Sequence, residues 1–124
     1  MPNVLIVEDD ESIAQLLDFM LQRQGYGVEI CRDGRAAEQR IVTGPVPALV
    51  LMDVMLPYKD GFELIALLRR QLGWGDVPVL MLSAKSHEPD IVRALEAGST
   101  GYVVKPFQPK EVLARVKQLI GAQA

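Results

Sequence analysis

Short apolar runs alternate with segments of helical periodicity along this chain, and this alternation constrains the fold more than any other sequence feature. The third run, "ALVLM", is apolar throughout, as is typical of a strand covered on both faces of a sheet. Glycine or proline closes several of the helical segments. The pattern predicts strands at 4–7, 27–31, 48–52, 77–82 and 101–104, followed by helices near 13–25, 35–42, 62–68, 88–97 and 109–120.

Strands that alternate with helices of this length form a parallel sheet, because parallel neighbours need crossover connections, which are right-handed. The sequence therefore predicts an α/β fold, a doubly wound five-stranded parallel sheet with helices on both faces. Of the common strand orders, 2-1-3-4-5 suits five units and places the first and third strands side by side. Ligands of such sheets bind just beyond the carboxyl ends of the strands at this point.

The composition fits a single globular domain over residues 1–124. Hydrophobic residues make up 49% of the chain and charged residues 23%, which is sufficient for a buried core at this length. The 16 acidic and 13 basic residues give a formal charge of -3 and include no basic block. Because a phosphate-tracking surface needs clustered lysine and arginine, the sequence predicts no nucleic-acid contact by this domain.

The sequence also argues against a membrane location. No apolar run approaches the roughly 20 residues that span a bilayer, and the chain begins with a strand pattern instead of a signal peptide. Cys31 stands alone in a strand-like stretch, so we expect a buried, small hydrophobic side chain in a reducing compartment. These features predict a cytoplasmic protein with no membrane contact.

Polar side chains stand at the ends of four predicted strands. Acids and serine favour helix N-termini, and a lysine is usually solvated, so each residue alone has an ordinary structural explanation. Capping gives no reason for acids at two adjacent strand ends with a hydroxyl and a lysine at the next two. The set therefore indicates a shared chemical site, formed by Glu8, Asp9, Asp53, Ser83 and Lys105.

The chemistry expected of this set is phosphoryl transfer with a divalent metal ion. Carboxylates in one crevice raise one another's pKa unless a cation neutralises them. Oxygen ligands in an open, hydrated site favour Mg²⁺, with Mn²⁺ as a substitute. Ser83 and Lys105 offer a hydroxyl and a positive charge to phosphoryl oxygens, and Asp53 is the carboxylate that attacks to form an aspartyl phosphate.

Four segments resemble the receiver domain of bacterial two-component response regulators, including the chemotaxis regulators. They are "VLIVEDD", "VLMDVMLPYKDG", "VLMLSA" and "YVVKPF", and the resemblance covers essentially the whole chain in order and spacing. It implies a flavodoxin-like (βα)5 fold and a phosphoacceptor that is not an enzyme but promotes only its own phosphorylation and dephosphorylation. The implied partner is a sensor histidine kinase or a phosphotransfer protein, whose phosphohistidine gives its phosphoryl group to Asp53.

The resemblance also implies the metal ligands. Asp9 and Asp53 coordinate Mg²⁺ through their carboxylates, and Met55 does so through its backbone carbonyl. Glu8 acts through a metal-bound water. Asp53 stands at a strand end because a rigid sheet edge must aim it at both the metal and the incoming phosphoryl group.

The resemblance also implies roles for Lys105 and for a switch formed by Ser83 and Tyr102. Lys105 contacts the phosphoryl group, and its bond to Pro106 matches the cis peptide of the family. Phosphorylation of Asp53 draws the Ser83 hydroxyl inward and vacates space for the Tyr102 ring, which repacks the face of the fourth helix, fifth strand and fifth helix. Without the resemblance, Tyr102 is equally well explained as a half-buried strand aromatic. The switch controls a partner or an effector domain, which would lie beyond the C-terminal end of this chain.

Some positions depart from the family pattern. Tyr58 stands where glycine is common, and Ala48 where an acid is usual. Winged-helix members usually carry two acids before the switch aromatic and a basic residue on the fourth helix, whereas this chain has Thr100, Gly101 and Ile91. We therefore do not expect the salt-bridged dimer of those members.

Three other functions fit parts of the pattern. A flavin-binding carrier needs a phosphate loop rich in glycine and hydroxyl groups, and "EDDES" would repel a phosphate. A dehalogenase-type phosphatase would need a second aspartate where Met55 stands. A receiver that only docks partners is disfavoured because no phosphorylation residue is missing. His87 is interpreted as a solvated histidine and not as a phosphoryl carrier.

Overall fold

The computed structural model describes residues 2–85 and 87–121, and residues 1, 86 and 122–124 of the expected single domain lie outside the described part. Strands and helices alternate in it, as the sequence predicts. Within these ranges no helix is both long and apolar enough to cross a membrane. The elements are β1 (Asn3–Val7), α1 (Glu11–Arg23), β2 (Gly27–Cys31), α2 (Gly34–Thr43), β3 (Leu49–Asp53), α3 (Gly61–Arg70), β4 (Val79–Ser83), α4 (Glu88–Glu96), β5 (Gly101–Val104) and α5 (Pro109–Gly121).

The strands form one parallel sheet in the order β2-β1-β3-β4-β5, which confirms the predicted doubly wound fold. The register pairs Val7 of β1 with Met52 of β3, and Ser83 of β4 with Val104 of β5. The carboxyl ends of these four neighbouring strands consequently lie at one edge of the sheet. That edge is where the sequence predicts the site.

Two hydrophobic cores cover the two faces of the sheet. Leu5 and Val7 of β1 belong to the core that includes residues of α2 and α3, whereas Val4 and Ile6 belong to the core that includes residues of α1 and α5. All of these strand side chains are 0% exposed. Because successive strand residues point to opposite faces and both faces are covered, the inner positions of the central strands are apolar, which explains the uninterrupted apolar runs, whereas the edge strand β2 carries the exposed Glu29.

Aspartates determine where three of the helices begin. The Asp10 carboxylate accepts a hydrogen bond from the Ile13 amide at 3.1 Å, and Asp33 and Asp60 cap α2 and α3 in the same way. α1 therefore begins at Glu11, earlier than predicted. The difference arises because apolar periodicity detects a helix only where its buried face begins, after the first polar turn.

The predicted strand at 77–82 is wrong at both ends. Val77 lies in a turn that its amide closes with the carbonyl of Trp74, and Pro78 has no amide hydrogen to donate to a ladder. β4 begins at the next residue and continues to Ser83. The hydroxyl of Ser83 is thereby carried by a strand and not by a loop.

The single cysteine and the single histidine of the chain lie as the sequence predicts. Cys31 is 7% exposed, and burial raises the pKa of its thiol, so it acts as a small hydrophobic residue. His87 is exposed, and it precedes α4 without a side-chain capping bond.

Candidate functional site

The site lies at the carboxyl edge of the sheet, where the ends of four strands meet. Asp53 and Ser83 are the last residues of β3 and β4. Glu8 and Lys105 directly follow β1 and β5, and their amides donate to carbonyls of neighbouring strands at 3.0 and 2.7 Å. The sheet backbone, which depends only on apolar strand sequences, therefore fixes the positions of these polar residues.

Three carboxylates form the centre of the site. Glu8, Asp9 and Asp53 each offer one oxygen, and these oxygens lie within 4.8 Å of one another. Glu8 is 0% exposed and Asp53 6%, whereas Asp9 is open to solvent. The structure thus brings together the acids that sequence analysis assigned to metal binding.

Lys105 joins the two buried acids of this cluster. Its Nζ lies 2.6 Å from Glu8 Oε1 and 3.0 Å from Asp53 Oδ2. Burial lowers the pKa of the Lys105 ammonium, but the hydrogen bonds to Glu8 and Asp53 outweigh burial, and the net pKa is raised. Lys105 therefore carries a fixed positive charge, and its peptide bond to Pro106 is cis.

Glu8 has an unusual acidity for a glutamate. Burial, followed by the hydrogen bond and charge of Asp53, raises the pKa of Glu8 to about 7 against the lowering effect of Lys105. One ammonium is thus insufficient to neutralise the cluster. Because the ionised form of Glu8 is this unfavourable, a second cation nearby would stabilise it.

The donor set fits a divalent cation. All three groups are carboxylate oxygens, and one face of the cluster, at Asp9, is open to water. Within the described ranges, ion pairs to the cluster come from Lys105 alone. Hard cations with oxygen ligands and retained waters suit such a site, whereas soft metals would need thiolate or imidazole ligands.

Met55 follows the phosphoacceptor candidate in the segment between β3 and α3. Its amide donates to Asp53 Oδ1 at 3.1 Å, while Asp53 Oδ2 receives the ammonium of Lys105. The two oxygens of Asp53 therefore have different partners and are held in a defined orientation. The Met55 side chain is 62% exposed, whereas its neighbours Val54 and Leu56 pack into the core and hold the segment in place.

The two residues predicted to form a switch converge on one backbone position. Ser83 Oγ accepts a hydrogen bond from the amide of Lys85 at 3.0 Å, and Tyr102 donates its hydroxyl to the carbonyl of Lys85 at 2.8 Å. Ser83 is fully buried and Tyr102 is half-buried. Sequence reasoning missed Lys85, because a residue that acts through its backbone leaves no side-chain signal.

A cleft of about 450 Å³ opens beside the acidic cluster. Asp9 and Met55 lie on one part of its wall, and the cations Lys85 and Arg93 on another. The guanidinium of Arg93 lies 4.0 Å from the centre of the Phe62 ring. Sequence analysis did not identify Arg93, because its place at the cleft depends on how α4 packs across the sheet.

Comparison with protein-family models gives one clear match. Residues 4–117 match the model of the response regulator receiver domain. Among curated proteins, the alkaline phosphatase synthesis transcriptional regulatory protein PhoP of Bacillus subtilis is 45% identical over 117 residues, which is 94% of this chain and 48% of that protein. The chain thus spans about half the length of the curated relatives that it matches.

Solved structures give the same result. The receiver domain of Francisella response regulator 1452 superposes with a TM-score of 0.92 at 32% identity and covers 100% of both chains. The receiver domain of sensor histidine kinase PA1611 from Pseudomonas aeruginosa, which holds a magnesium ion in its active-site cleft, superposes with a TM-score of 0.87 at 30% identity. That match covers 97% of this chain and 98% of the other.

Proposed function

This chain belongs to the response regulator receiver family, and from that membership we propose that Asp53 accepts a phosphoryl group from the phosphohistidine of a sensor histidine kinase or a phosphotransfer protein. The observation that carries this proposal is the position of Asp53. It is a buried strand-end carboxylate with one oxygen on Lys105, inside a cluster with Glu8 and Asp9. Ordinary helix capping accounts for none of these contacts.

The transfer forms one bond and breaks another. An oxygen of Asp53 attacks phosphorus, the phosphorus–nitrogen bond of the phosphohistidine breaks, and its electron pair leaves with the imidazole, which takes a proton from solvent if needed. The product is an acyl phosphate on Asp53. Lys105 keeps its positive charge beside the phosphoryl oxygens, because its hydrogen bonds to the acids raise its pKa.

Asp9, Asp53 and the backbone carbonyl of Met55 would hold Mg²⁺, and Glu8 would act through a metal-bound water. The oxygen donor set and the excess negative charge of the cluster support this assignment, as does the magnesium ion reported in the PA1611 receiver. Mn²⁺ would substitute, since it accepts the same ligands. When bound, the ion neutralises charge on the phosphoryl group and its acceptor.

Ser83 and Tyr102 are proposed to report phosphorylation. A phosphoryl group on Asp53 offers new oxygens to the Ser83 hydroxyl, which in this structure accepts from the Lys85 amide. Tyr102 donates a hydrogen bond to the carbonyl of Lys85. A shift of the backbone at Lys85 therefore changes the surface formed by α4 and β5. The chain is thus a phosphoacceptor that promotes only its own phosphorylation and dephosphorylation.

The domain is proposed to work as one receiver unit over residues 1–124 that controls an output elsewhere. The relative from Bacillus subtilis is named a transcriptional regulatory protein and is about twice as long as this chain, which supports an effector domain as partner. DNA contact would then belong to that domain, because this chain has net charge -3 and no basic block. The lone, buried Cys31 supports a cytoplasmic location.

Labelling with a small phosphodonor tests the acceptor directly. Positioning and charge carry most of the catalysis of phosphoryl transfer, so the wild-type domain should label itself from radiolabelled acetyl phosphate in Mg²⁺ without a kinase. Asp53→Asn should abolish the label, whereas Asp18→Asn, an acid on α1 outside the cluster, should retain it.

The stability of the label identifies the linkage. An acyl phosphate is cleaved by hydroxylamine, so retention of label after that treatment, or in Asp53→Asn, would show that another residue is modified. A folded wild-type domain that takes no label from acetyl phosphate or from a phosphorylated kinase would instead be a receiver that only docks partners.

A further inference from the structure

The start of α2 is joined to the segment between β3 and α3, although neither is part of the acidic cluster. The amide of Gly34 donates to the carbonyl of Pro57 at 2.9 Å. The guanidinium carbon of Arg35 lies 4.0 Å from the centre of the Tyr58 ring. A third contact is an ion pair at 3.4 Å. The six residues of these contacts, called the α2 latch below, are Gly34, Arg35, Glu38, Pro57, Tyr58 and Lys59.

Gly34 brings the two backbones into direct contact. A Cβ at this position would lie 2.3 Å from the carbonyl oxygen of Lys59 and 2.6 Å from its amide nitrogen, closer than real Cβ atoms approach. The obstacle is backbone and not the end of a flexible side chain. Any larger residue at position 34 would therefore push α2 and the segment apart.

Tyr58 adopts a backbone conformation that tyrosine disfavours. Its φ is +73°, in the left-handed region where glycine has no steric cost. The Tyr58 side chain is 68% exposed, so burial in a core does not explain its presence. The Tyr58 ring contacts the guanidinium of Arg35, and this cation–π contact offsets the energetic cost of the backbone conformation.

The latched segment contains one expected metal ligand, Met55, and directly follows another, Asp53, the last residue of β3. The amide of Gly61 closes the segment by donating to the carbonyl of Val54 at 2.8 Å. The amide of Lys59 donates to the same Pro57 carbonyl that Gly34 contacts. A displacement at Pro57 would consequently be transmitted within a short closed loop to the backbone beside Asp53.

On this basis we propose that the α2 latch is a positioning element that holds the Met55 carbonyl for a divalent cation, so that latch closure and cation binding strengthen each other. The proposal rests on the proposed Mg²⁺-dependent phosphorylation of Asp53. Tyr58 is its chain-specific part, since it stands where glycine is common in the family, and Arg35 is the residue that its ring contacts. They touch neither the ion nor the phosphoryl group and act through the loop backbone.

Coupling of this kind is reciprocal. If closure of the latch tightens the cation site by a given factor, cation binding must favour latch closure by the same factor. The Gly34 amide reports closure, because it donates to Pro57. Mg²⁺ should therefore slow hydrogen exchange at Gly34 about 5-fold or more, the lower range of ordinary coupling between sites. Because ligand binding also slows exchange by stabilising the whole fold, the slowing at Gly34 must exceed that at Gly44, whose amide donates to the Arg40 carbonyl at the other end of α2. A purely structural contact would slow no more than Gly44 does.

The decisive variants remove the ring contact in two independent ways. Tyr58→Gly removes the ring and relieves the left-handed backbone, so it should unfold no more easily than wild type. Arg35→Gln removes only the cation. Arg23→Gln is the matched control, because its guanidinium lies 5.6 Å from the Phe19 ring on α1, outside the latch.

Mg²⁺ affinity by calorimetry and Mn²⁺ affinity by electron paramagnetic resonance should fall about 5-fold or more in Tyr58→Gly and in Arg35→Gln. The double variant should bind each ion no more weakly than the single variant with the lower affinity, because both substitutions remove the same contact. Melting temperatures of Tyr58→Gly and the control should match wild type, and the control should bind both ions normally.

The possible outcomes separate failure of this inference from failure of the proposed function. Wild-type affinity in both latch variants, or unchanged exchange at Gly34 on adding Mg²⁺, overturns the latch while leaving phosphorylation of Asp53 intact. A wild-type domain that binds neither ion overturns both. A loss of ion affinity that only accompanies a loss of folding stability would also overturn the latch, because the Arg35–Tyr58 contact would then be merely structural.

Discussion

Glu8 combines burial with a charge that the protein stabilises poorly. Its pKa of about 7 lies above the ordinary glutamate value of 4.5, chiefly because burial disfavours the carboxylate. Between these two pH values the folded protein keeps a proton that the unfolded chain has lost. Without a divalent ion, the free energy of unfolding therefore falls as pH rises from 4.5 through 7.

Glu8→Gln should remove this pH dependence. Glutamine keeps the shape of the side chain but cannot titrate, so the stability of wild type relative to the variant should decline between pH 5 and 8 by about 1 kcal/mol per pH unit. Urea unfolding in EDTA at several pH values measures it. Parallel pH profiles for the two proteins would contradict the assignment of the raised pKa to Glu8.

At the scale of single residues, the sequence predicted which side chains meet in the cluster, but not which atoms they contact or how their charges offset one another. Asp53 and Lys105 were found because the carboxyl ends of parallel strands meet at one edge, whatever the details of packing. That Lys105 bonds Glu8 at 2.6 Å, while Met55 bonds the other oxygen of Asp53, depends on side-chain rotamers and loop geometry. Spacing in a sequence carries no information about either.

At the scale of elements, Arg69 joins α3 to two loops at the other end of the sheet. Its guanidinium donates to the carbonyl of Gly98 at 2.7 Å and to that of Val77 at 2.6 Å, with further bonds to Trp74 and Gly75. Burial lowers the pKa of Arg69, an effect that the charge of a nearby aspartate partly opposes. One side chain thus donates to four carbonyls in two loops, of which that of Trp74 also accepts the Val77 amide.

Arg69→Met should destabilise the domain by about 2 kcal/mol, because it removes the donor to the part-buried carbonyls of Gly98 and Val77. Arg69→Lys should be intermediate, since a lysine keeps the charge but not the planar fork. Arg70→Met, at the exposed neighbouring position, is the control. Urea midpoints compare the four proteins, and equal midpoints for Arg69→Met and Arg70→Met would contradict the role of Arg69.

The same scale shows where pattern-based prediction of elements fails. The existence and order of the strands and helices followed from apolar periodicity, because each element must bury a face. The first and last residues of the elements did not follow from periodicity, because α1 begins at the turn capped by Asp10 and β4 cannot include Pro78. Hydrogen bonds of single residues set those limits, and they leave no periodic signal.

At the scale of the whole molecule, contacts between distant elements were the least predictable from sequence. The Arg35–Tyr58 contact depends on how α2 is rotated against the segment after β3, and the place of Arg93 at the cleft depends on α4 in the same way. A one-dimensional pattern assigns a face to each helix. It does not determine which residue of one helix meets which loop.

Compared with the pattern expected for winged-helix members, the surface of α4, β5 and α5 lacks two acids and one basic residue, at Thr100, Gly101 and Ile91, whereas Glu111 and Arg115 remain. Thr100 accepts a hydrogen bond from the Val79 amide at 3.0 Å, so its side chain is used within the sheet. A Cβ on buried Gly101 would lie 3.0 Å from Leu80 Cδ1 and 4.0 Å from the guanidinium of Arg115. An acid that could pair with Arg115 is therefore missing at this position.

We expect this surface to give no salt-sensitive dimer. Exposed ion pairs contribute only about 0–1 kcal/mol each, so their loss does not prevent association, but it removes the charges that fix its geometry. The sequence predicts an apolar contact around Ile91, which is half-buried in the structure. Val92 and Leu95 on the same helix are 41% and 48% exposed and would form most of such a contact. Sedimentation velocity with and without beryllofluoride, at low and high salt, should show either a monomer throughout or an activated dimer that persists as salt rises. Val92→Ser should weaken any such dimer, whereas an activated dimer that dissociates with rising salt would mean that ion pairs hold this surface after all.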